Sequence, residues 1–203
     1  MLAGRPWAAG ALWLARVILN IRYEIKGIEN LTNSPVIYAS KHQSAWDTAI
    51  FLLLLNRPTY VLKRELLRIP LWGWYLWRMG MIAIDRSAGA SAIKHMIRDA
   101  KERVAQGRTI VIYPEGTRTR PNAEPNYHPG VVALYSQLGV PVVPVALNSG
   151  VFWGKDAFIK KAGTITISFL PPIAAGMPKS EFLPRLQAAI ENETNQLIAN
   201  VSD

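Results

Sequence analysis

The chain has 203 residues, half of them apolar, a net charge of +9 and no cysteine. That length holds one domain with a real core, and the composition excludes a disordered chain. Without cysteine there is no disulfide, thiolate metal site or cysteinyl acyl-enzyme, and the positive charge calls for an anionic partner. Nucleic acid ranks last among such partners, because the sequence carries no long basic block, zinc-finger spacing or RNA-binding aromatic signature. Seven tryptophans favour a membrane interface instead.

Taken in order, Trp7–Ile21 is apolar apart from Arg16 and Asn20, which share a helical stripe with Arg5. The run Pro6–Ala15 is shorter than the ~20 residues needed to span a bilayer, and no small-residue cleavage site precedes Arg22. Residues 1–22 are therefore expected to form an amphipathic helix in the membrane interface, with packing on the domain's own core as the alternative. Ile21–Ile28 alternates like a strand, and Pro35–Ala39 reads as a buried strand. Thr48–Leu55 reads as a helix that Asp47 is placed to cap, and Arg57-Pro58 ends it. Thr59–Leu62 is a short strand. Leu66–Met79 is broken by Pro70 and Gly73 and holds Trp72, Trp74 and Trp77, a composition suited to a lipid-site wall, to a membrane-facing shelf or to a bulky core patch. Gly80–Ile84 is a strand, and Ser91–Gln106 has helical spacing with Ile93, Met96, Ile97, Ala100 and Val104 on one face and Gly107 as its stop. Thr109–Tyr113 is a strand, Pro121–Pro129 a polar loop and Gly130–Gln137 a helix. Val140–Leu147 contains Pro141 and Pro144, which predicts an edge strand or prolines at strand ends. Thr164–Leu170 is a late strand, and Ser180 to about Val201 a closing helix with a kink expected near Pro184. Strands alternating with helices predict a layered α/β fold, a mixed, partly parallel sheet flanked by helices, over residues 23–203.

Polar clusters follow three of these strands: His42 and Asp47, then Asp85-Arg86, then Glu115-Gly116-Thr117-Arg118. In open α/β sheets ligands bind beyond the carboxyl ends of strands. Positions five apart diverge by roughly 140° on one helix, so His42 and Asp47 meet only if the chain bends between them. A carboxylate that accepts from one imidazole nitrogen leaves the other free as a base. Arginine forks suit a phosphate, and Gly116 lets backbone approach a ligand closely.

In this order the clusters resemble the glycerolipid acyltransferase superfamily, specifically its 1-acylglycerol-3-phosphate acyltransferases. His42-Gln-Ser-Ala-Trp-Asp47 matches that family's H-x4-D motif. Gly80-Met-Ile-Ala-Ile-Asp85-Arg86 resembles its second motif, Tyr113-Pro-Glu-Gly-Thr-Arg118 its third, and Val140-Pro-Val-Val-Pro144-Val-Ala its proline-bearing fourth. Lys63-Arg64-Glu65-Leu66 is similar to its K-x-E-L segment. The resemblance implies that His42 is a general base oriented by Asp47. It places an acceptor phosphate near Lys63, Arg86, Glu115, Gly116, Thr117 and Arg118, with Arg118 as chief cation and Glu115 holding an arginine or the loop. It implies an acyl thioester donor, acyl-CoA or acyl carrier protein, with no cofactor and no metal, and membrane lipids as partners. The expected product is phosphatidic acid, made in phospholipid biosynthesis at the cytoplasmic face of the inner membrane. A lyso-ornithine lipid is the alternative acceptor.

Two positions depart from the family pattern. Lys41 stands where the family often has asparagine, adding a positive charge near the base and leaving open how the bend is held. Ala83 replaces an aromatic residue of the second motif. Two rival readings use the same residues: a serine hydrolase or thioesterase built on Ser44, and a non-catalytic lipid-binding module. The first lacks the G-x-S-x-G elbow, and the second has no need of the His42–Asp47 pair. Arg86 as a structural partner of Asp85 is a further alternative. Arg120, Lys160, Lys161, His95 and His128 carry no predicted role.

Overall fold

The computed structural model describes residues 4–201, so the ends of the predicted 1–22 and 23–203 segments lie outside the described residues. Seven strands make one sheet in the order β1-β7-β6-β2-β5-β3-β4. They are β1 (Ile21–Lys26), β2 (Ile37–Ser40), β3 (Pro58–Lys63), β4 (Ile82–Ile84), β5 (Thr109–Ile112), β6 (Val142–Leu147) and β7 (Gly163–Phe169). From β6 across to β4 every pair is parallel; β7 runs antiparallel to β6, and β1 runs parallel to β7. The helices are α1 (Gly4–Leu19), α2 (Trp46–Leu54), α3 (Trp72–Arg78), α4 (Gly89–Ala105), α5 (Gly130–Leu138), α6 (Ser149–Phe152) and α7 (Lys179–Ala199).

Strand alternation divides the core in two. Tyr38, Val111, Val143 and Val145 point to one face, where Ala8 and Leu12 of α1 and Ile50 and Phe51 of α2 cover them. Ile37, Ala39, Ile110 and Ile112 point to the other, where Met96 and Ala100 of α4, Leu134 of α5 and Leu186 and Ile190 of α7 cover them. Met96 and Ala100 are thus core as their spacing predicts.

The prolines correct one expectation. β6 lies inside the sheet, between β2 and β7, not at an edge. Pro144 is tolerated because its nitrogen faces β7 where that ladder ends: Pro144 O accepts from Leu170 N at 2.9 Å, and the paired register begins one residue on, at Val145 opposite Phe169. α7 continues through Pro184 in its second turn.

α1 has a buried face and an exposed apolar face. Ala8, Leu12 and Ala15 are buried against the domain, while Trp7, Trp13, Leu14, Val17 and Ile18 are exposed. Trp74 and Trp77 of α3 and Leu71 before it are exposed too. No helix among the described residues is long and apolar enough to cross a membrane.

Candidate active site

Because β2, β3, β4 and β5 run parallel, their carboxyl ends lie along one edge of the sheet. His42 follows β2, Lys63 ends β3, Arg86 follows β4, and Gly116, Thr117 and Arg118 follow β5. All six line one cavity of about 690 Å³. The edge therefore collects residues that the sequence spreads over more than seventy positions.

The chain turns sharply from β2 into α2, and Asp47 closes the turn. Its Oδ2 accepts from the Gln43 and Ser44 amides, both at 2.8 Å, and lies 3.1 Å from His42 Nδ1. A carboxylate only accepts, so Nδ1 donates and Nε2 keeps its lone pair. Asp47 is fully buried in the first turn of α2, where the helix dipole favours its charge. It is therefore not the helix cap that the sequence suggested, since its carboxylate serves the amides of the turn. The Trp46 amide donates instead to Ser44 Oγ at 3.1 Å. That hydroxyl is buried and does not line the cavity.

The second shell of the turn comes from elsewhere in the chain. Glu115 Oε2 accepts from the His42 amide at 3.3 Å, and His42 O accepts from the Thr119 amide at 2.8 Å. Lys41 Nζ donates to Glu115 at 2.7 Å and to both Glu191 oxygens at 2.8 and 2.9 Å. Tyr127 completes the cluster with a 2.8 Å bond to Glu191, and its hydroxyl is pushed well above its ordinary range by burial and that carboxylate. Lys41 is thus no lone cation beside the imidazole, because two carboxylates enclose its ammonium. Glu115 is engaged by Lys41, Thr119 and the His42 amide, so it ties the loop to the turn and does not line the cavity.

The His42 ring stacks on Tyr113, with centroids 3.9 Å apart and planes 18° from parallel. Tyr113 was not singled out from sequence. Its hydroxyl and that of Tyr60 are pushed up, mainly by burial and further by Asp47, so both stay neutral.

Arg86 sits across from Gly116: a Cβ there would lie 3.1 Å from Arg86 Nη1 and 3.0 Å from His128 Cδ2. Gly116 has φ +66°, so glycine is needed both for the turn and for the space. Arg86 is not bound to Asp85, whose carboxylate takes the Ser87 amide and hydroxyl and lies 3.8 Å from Arg64. His128, given no role from sequence, lines the cavity with its amide tied to Pro114 O. The same cavity is walled by the apolar side chains Leu52, Trp72, Tyr75, Met79, Ile93 and Met96. Trp7 and Trp72 meet at its side, with ring centroids 5.2 Å apart. An imidazole bound at one nitrogen, with cations and apolar side chains lining the same cavity, suits a nucleophile tethered to an anion and an acyl chain.

The acyltransferase family model matches residues 22–148. Over 196 residues the chain is 36% identical to a 1-acyl-sn-glycerol-3-phosphate acyltransferase of Pseudomonas aeruginosa, covering 97% of this chain and 76% of that one. It is 28% identical to a lyso-ornithine lipid O-acyltransferase of the same organism, covering 88% of this chain and 75% of that one. The crystal structure of a 1-acyl-sn-glycerophosphate acyltransferase from Thermotoga maritima has the same fold, with a TM-score of 0.79 at 20% identity over 96% of this chain and 78% of that one.

Proposed function

The chain belongs to the acyltransferase family, and on that footing we propose that it moves a fatty acyl group from acyl-CoA or acyl carrier protein to the free hydroxyl of 1-acylglycerol 3-phosphate, giving phosphatidic acid. The observation that carries this reading is the His42–Asp47 pair, 3.1 Å apart, with His42 on the wall of a cavity lined by both cationic and apolar side chains. His42 Nε2 takes the proton of the acceptor hydroxyl as its oxygen attacks the thioester carbonyl. The C–S bond then breaks, and the departing thiolate takes the proton back from Nε2. Asp47 holds the tautomer and stabilises the imidazolium between these steps. Arg118, Arg86 and Lys63 hold the acceptor phosphate, and Gly116 lets it approach the backbone. The apolar channel holds an acyl chain. A cavity of this size is ordinary for such a ligand, within the roughly 300–1,000 Å³ of small-molecule sites.

The exposed faces of α1 and α3 lie on the membrane, with their tryptophans in the interface, and the basic surface holds the protein to the acidic cytoplasmic leaflet. A lyso-ornithine acceptor is the second reading, supported by the relative with that name. In it Arg118 would face a carboxylate.

The test is thiol release from acyl-CoA and from an acyl carrier protein thioester, with 1-acylglycerol 3-phosphate, lyso-ornithine lipid or neither. The expected result is release that depends on 1-acylglycerol 3-phosphate, survives Ser44→Ala and falls about 10²–10⁴-fold in His42→Ala. Release without an acceptor would mean a thioesterase. Dependence on lyso-ornithine lipid alone would establish the second reading. Silence with every donor and acceptor, in folded protein, would leave a lipid-binding module.

A further inference from the structure

β3, β4 and β5 begin along the sheet edge opposite the His42 bend. There Trp77, Arg78, Met79, Gly80, Arg103 and Arg108 enclose a separate open groove. Two guanidiniums converge in it. A Cβ on Gly80 would lie 2.5 Å from Arg108 Nη1 and 3.4 Å from Arg103 Nε, and glycine at φ +70° leaves that space to the arginines. Arg108 is 4% exposed. Its Nη2 donates to Met79 O at 2.7 Å, while its buried Nε has no partner. Arg103 Nε donates to Gly80 O at 3.1 Å. Arg78 lies over the Trp74 ring, 5.8 Å from its centroid.

Three arginines thus share one groove with little to balance them. Among the described residues the carboxylate within salt-bridge distance is that of Glu102, 3.0 Å from Arg103 and 62% exposed. Burial pulls the Arg108 guanidinium down to about 10, with the positive charges of Arg103 and then Arg57 adding to it. Met79 O and Gly80 O, just past the end of α3, are the carbonyls that Arg108 and Arg103 hold. The groove opens beside Trp74 and Trp77, which are exposed.

We propose that the Arg78–Arg103–Arg108 groove binds a phosphate group outside the active site, and that the group is the phosphodiester of an anionic phospholipid. Guanidinium groups gathered in one groove around a buried Arg108 match tetrahedral oxyanions better than a diffuse basic surface does. Two flanking tryptophans put the groove at headgroup depth. The choice of a lipid source rests on the membrane placement proposed above; the phosphate chemistry does not. The site would seat α3, and through Met79 the apolar end of the active-site cavity, against the bilayer.

The test compares the full chain with Arg78→Gln/Arg103→Gln and with the charge-conserving Arg78→Lys/Arg103→Lys. Binding is measured to phosphatidylcholine vesicles with and without phosphatidylglycerol, melting with and without inorganic phosphate at fixed ionic strength, and thioester turnover in neutral detergent micelles. The gain from phosphatidylglycerol should fall about thirtyfold in the Gln variant, two basic contacts' worth. It should fall about tenfold in the Lys variant, which keeps the charge and loses the forks. Inorganic phosphate should raise the melting temperature of the parent only. Micelle turnover should stay at the parent level in both variants, which separates this site from the proposed function. Unchanged phosphatidylglycerol binding in the Lys variant would overturn the proposal in favour of diffuse charge. A phosphate-dependent melting shift lost in both variants, with vesicle binding intact, would overturn the lipid source and leave a site for free phosphate.

Discussion

Lys41→Asn tests how the bend is held, because it installs the residue the family often carries there. In this chain the Lys41 side chain is 2% exposed and bridges Glu115, 1% exposed, and Glu191, 14% exposed. Asparagine is too short to reach both carboxylates, and two acids are left facing each other out of water. Removing one partner of a buried ion pair costs about 3–5 kcal/mol. A chain of this size loses roughly 2–4 °C of melting temperature per kcal/mol, so the drop should be about 6–20 °C. Lys41→Asn/Glu191→Leu removes one of the stranded charges and should recover a good part of that loss, with a coupling of about 1–3 kcal/mol. Thermal melts of the four proteins in detergent close the cycle, with thioester turnover measured alongside. Turnover should fall mainly in kcat, because Glu115 holds the amide of the proposed base. A melting change under 2 °C, approximated from that same scale, would refute the clamp. A raised acceptor KM with kcat and melting unchanged would return Glu115 to the phosphate.

Three further substitutions probe single contacts. Asp47→Asn keeps the shape of the turn but loses the charge that stabilises the imidazolium, so kcat should fall about 10²–10⁴-fold with the acceptor KM little changed in steady-state assays. Gly116→Ala forces a side chain into φ +66° and against His128 and Arg86; the strain is about 1–2 kcal/mol, and titration of the acceptor should give a raised KM with the donor KM unchanged. Tyr113→Phe should keep full turnover and raise stability by up to about 1 kcal/mol, because the lost hydroxyl is buried without a partner, whereas Tyr113→Leu removes the ring stacked on His42 and should lower kcat in the same assay.

The sequence made some of this geometry legible and hid the rest for identifiable reasons. His42 and Asp47 were readable as a pair because their spacing is incompatible with one helix face and both border apolar runs. Arg86 and Arg118 were readable because each sits just past a strand, and parallel strands end on one side, whereas Lys63 is marked only by its resemblance to the K-x-E-L segment. Pro144 misled because a proline reports a missing donor but not which neighbour that donor would have faced. Glu191 gave no local signal: it is 150 positions from Lys41 and sits in an ordinary amphipathic helix. Tyr113 looked like the last residue of a strand, and only the fold sets its ring against the imidazole. Local pattern places residues on elements, while contacts between distant elements depend on the order of strands in the sheet.

Backbone accounting explains why acidic residues surround a proposed base. Where β2 leaves the sheet, the amides of His42, Gln43 and Ser44 and the carbonyl of His42 lose ladder partners, and buried groups of this kind cost free energy when unpaired. Asp47 takes two of the amides, Glu115 takes the third, and the Thr119 amide donates to the His42 carbonyl. A single oxygen, Asp47 Oδ2, therefore fixes the turn and the imidazole together. The charge needed to steady the imidazolium is the charge that folds the bend. Asparagine at 47 retains one acceptor for three donors but no negative charge, so the turn can persist while the base fails. Alanine would leave two buried amides unpaired and should cost stability as well as rate. Stability and turnover should therefore separate in Asp47→Asn and fall together in Asp47→Ala, a contrast that melting and thioester assays on the same preparations resolve.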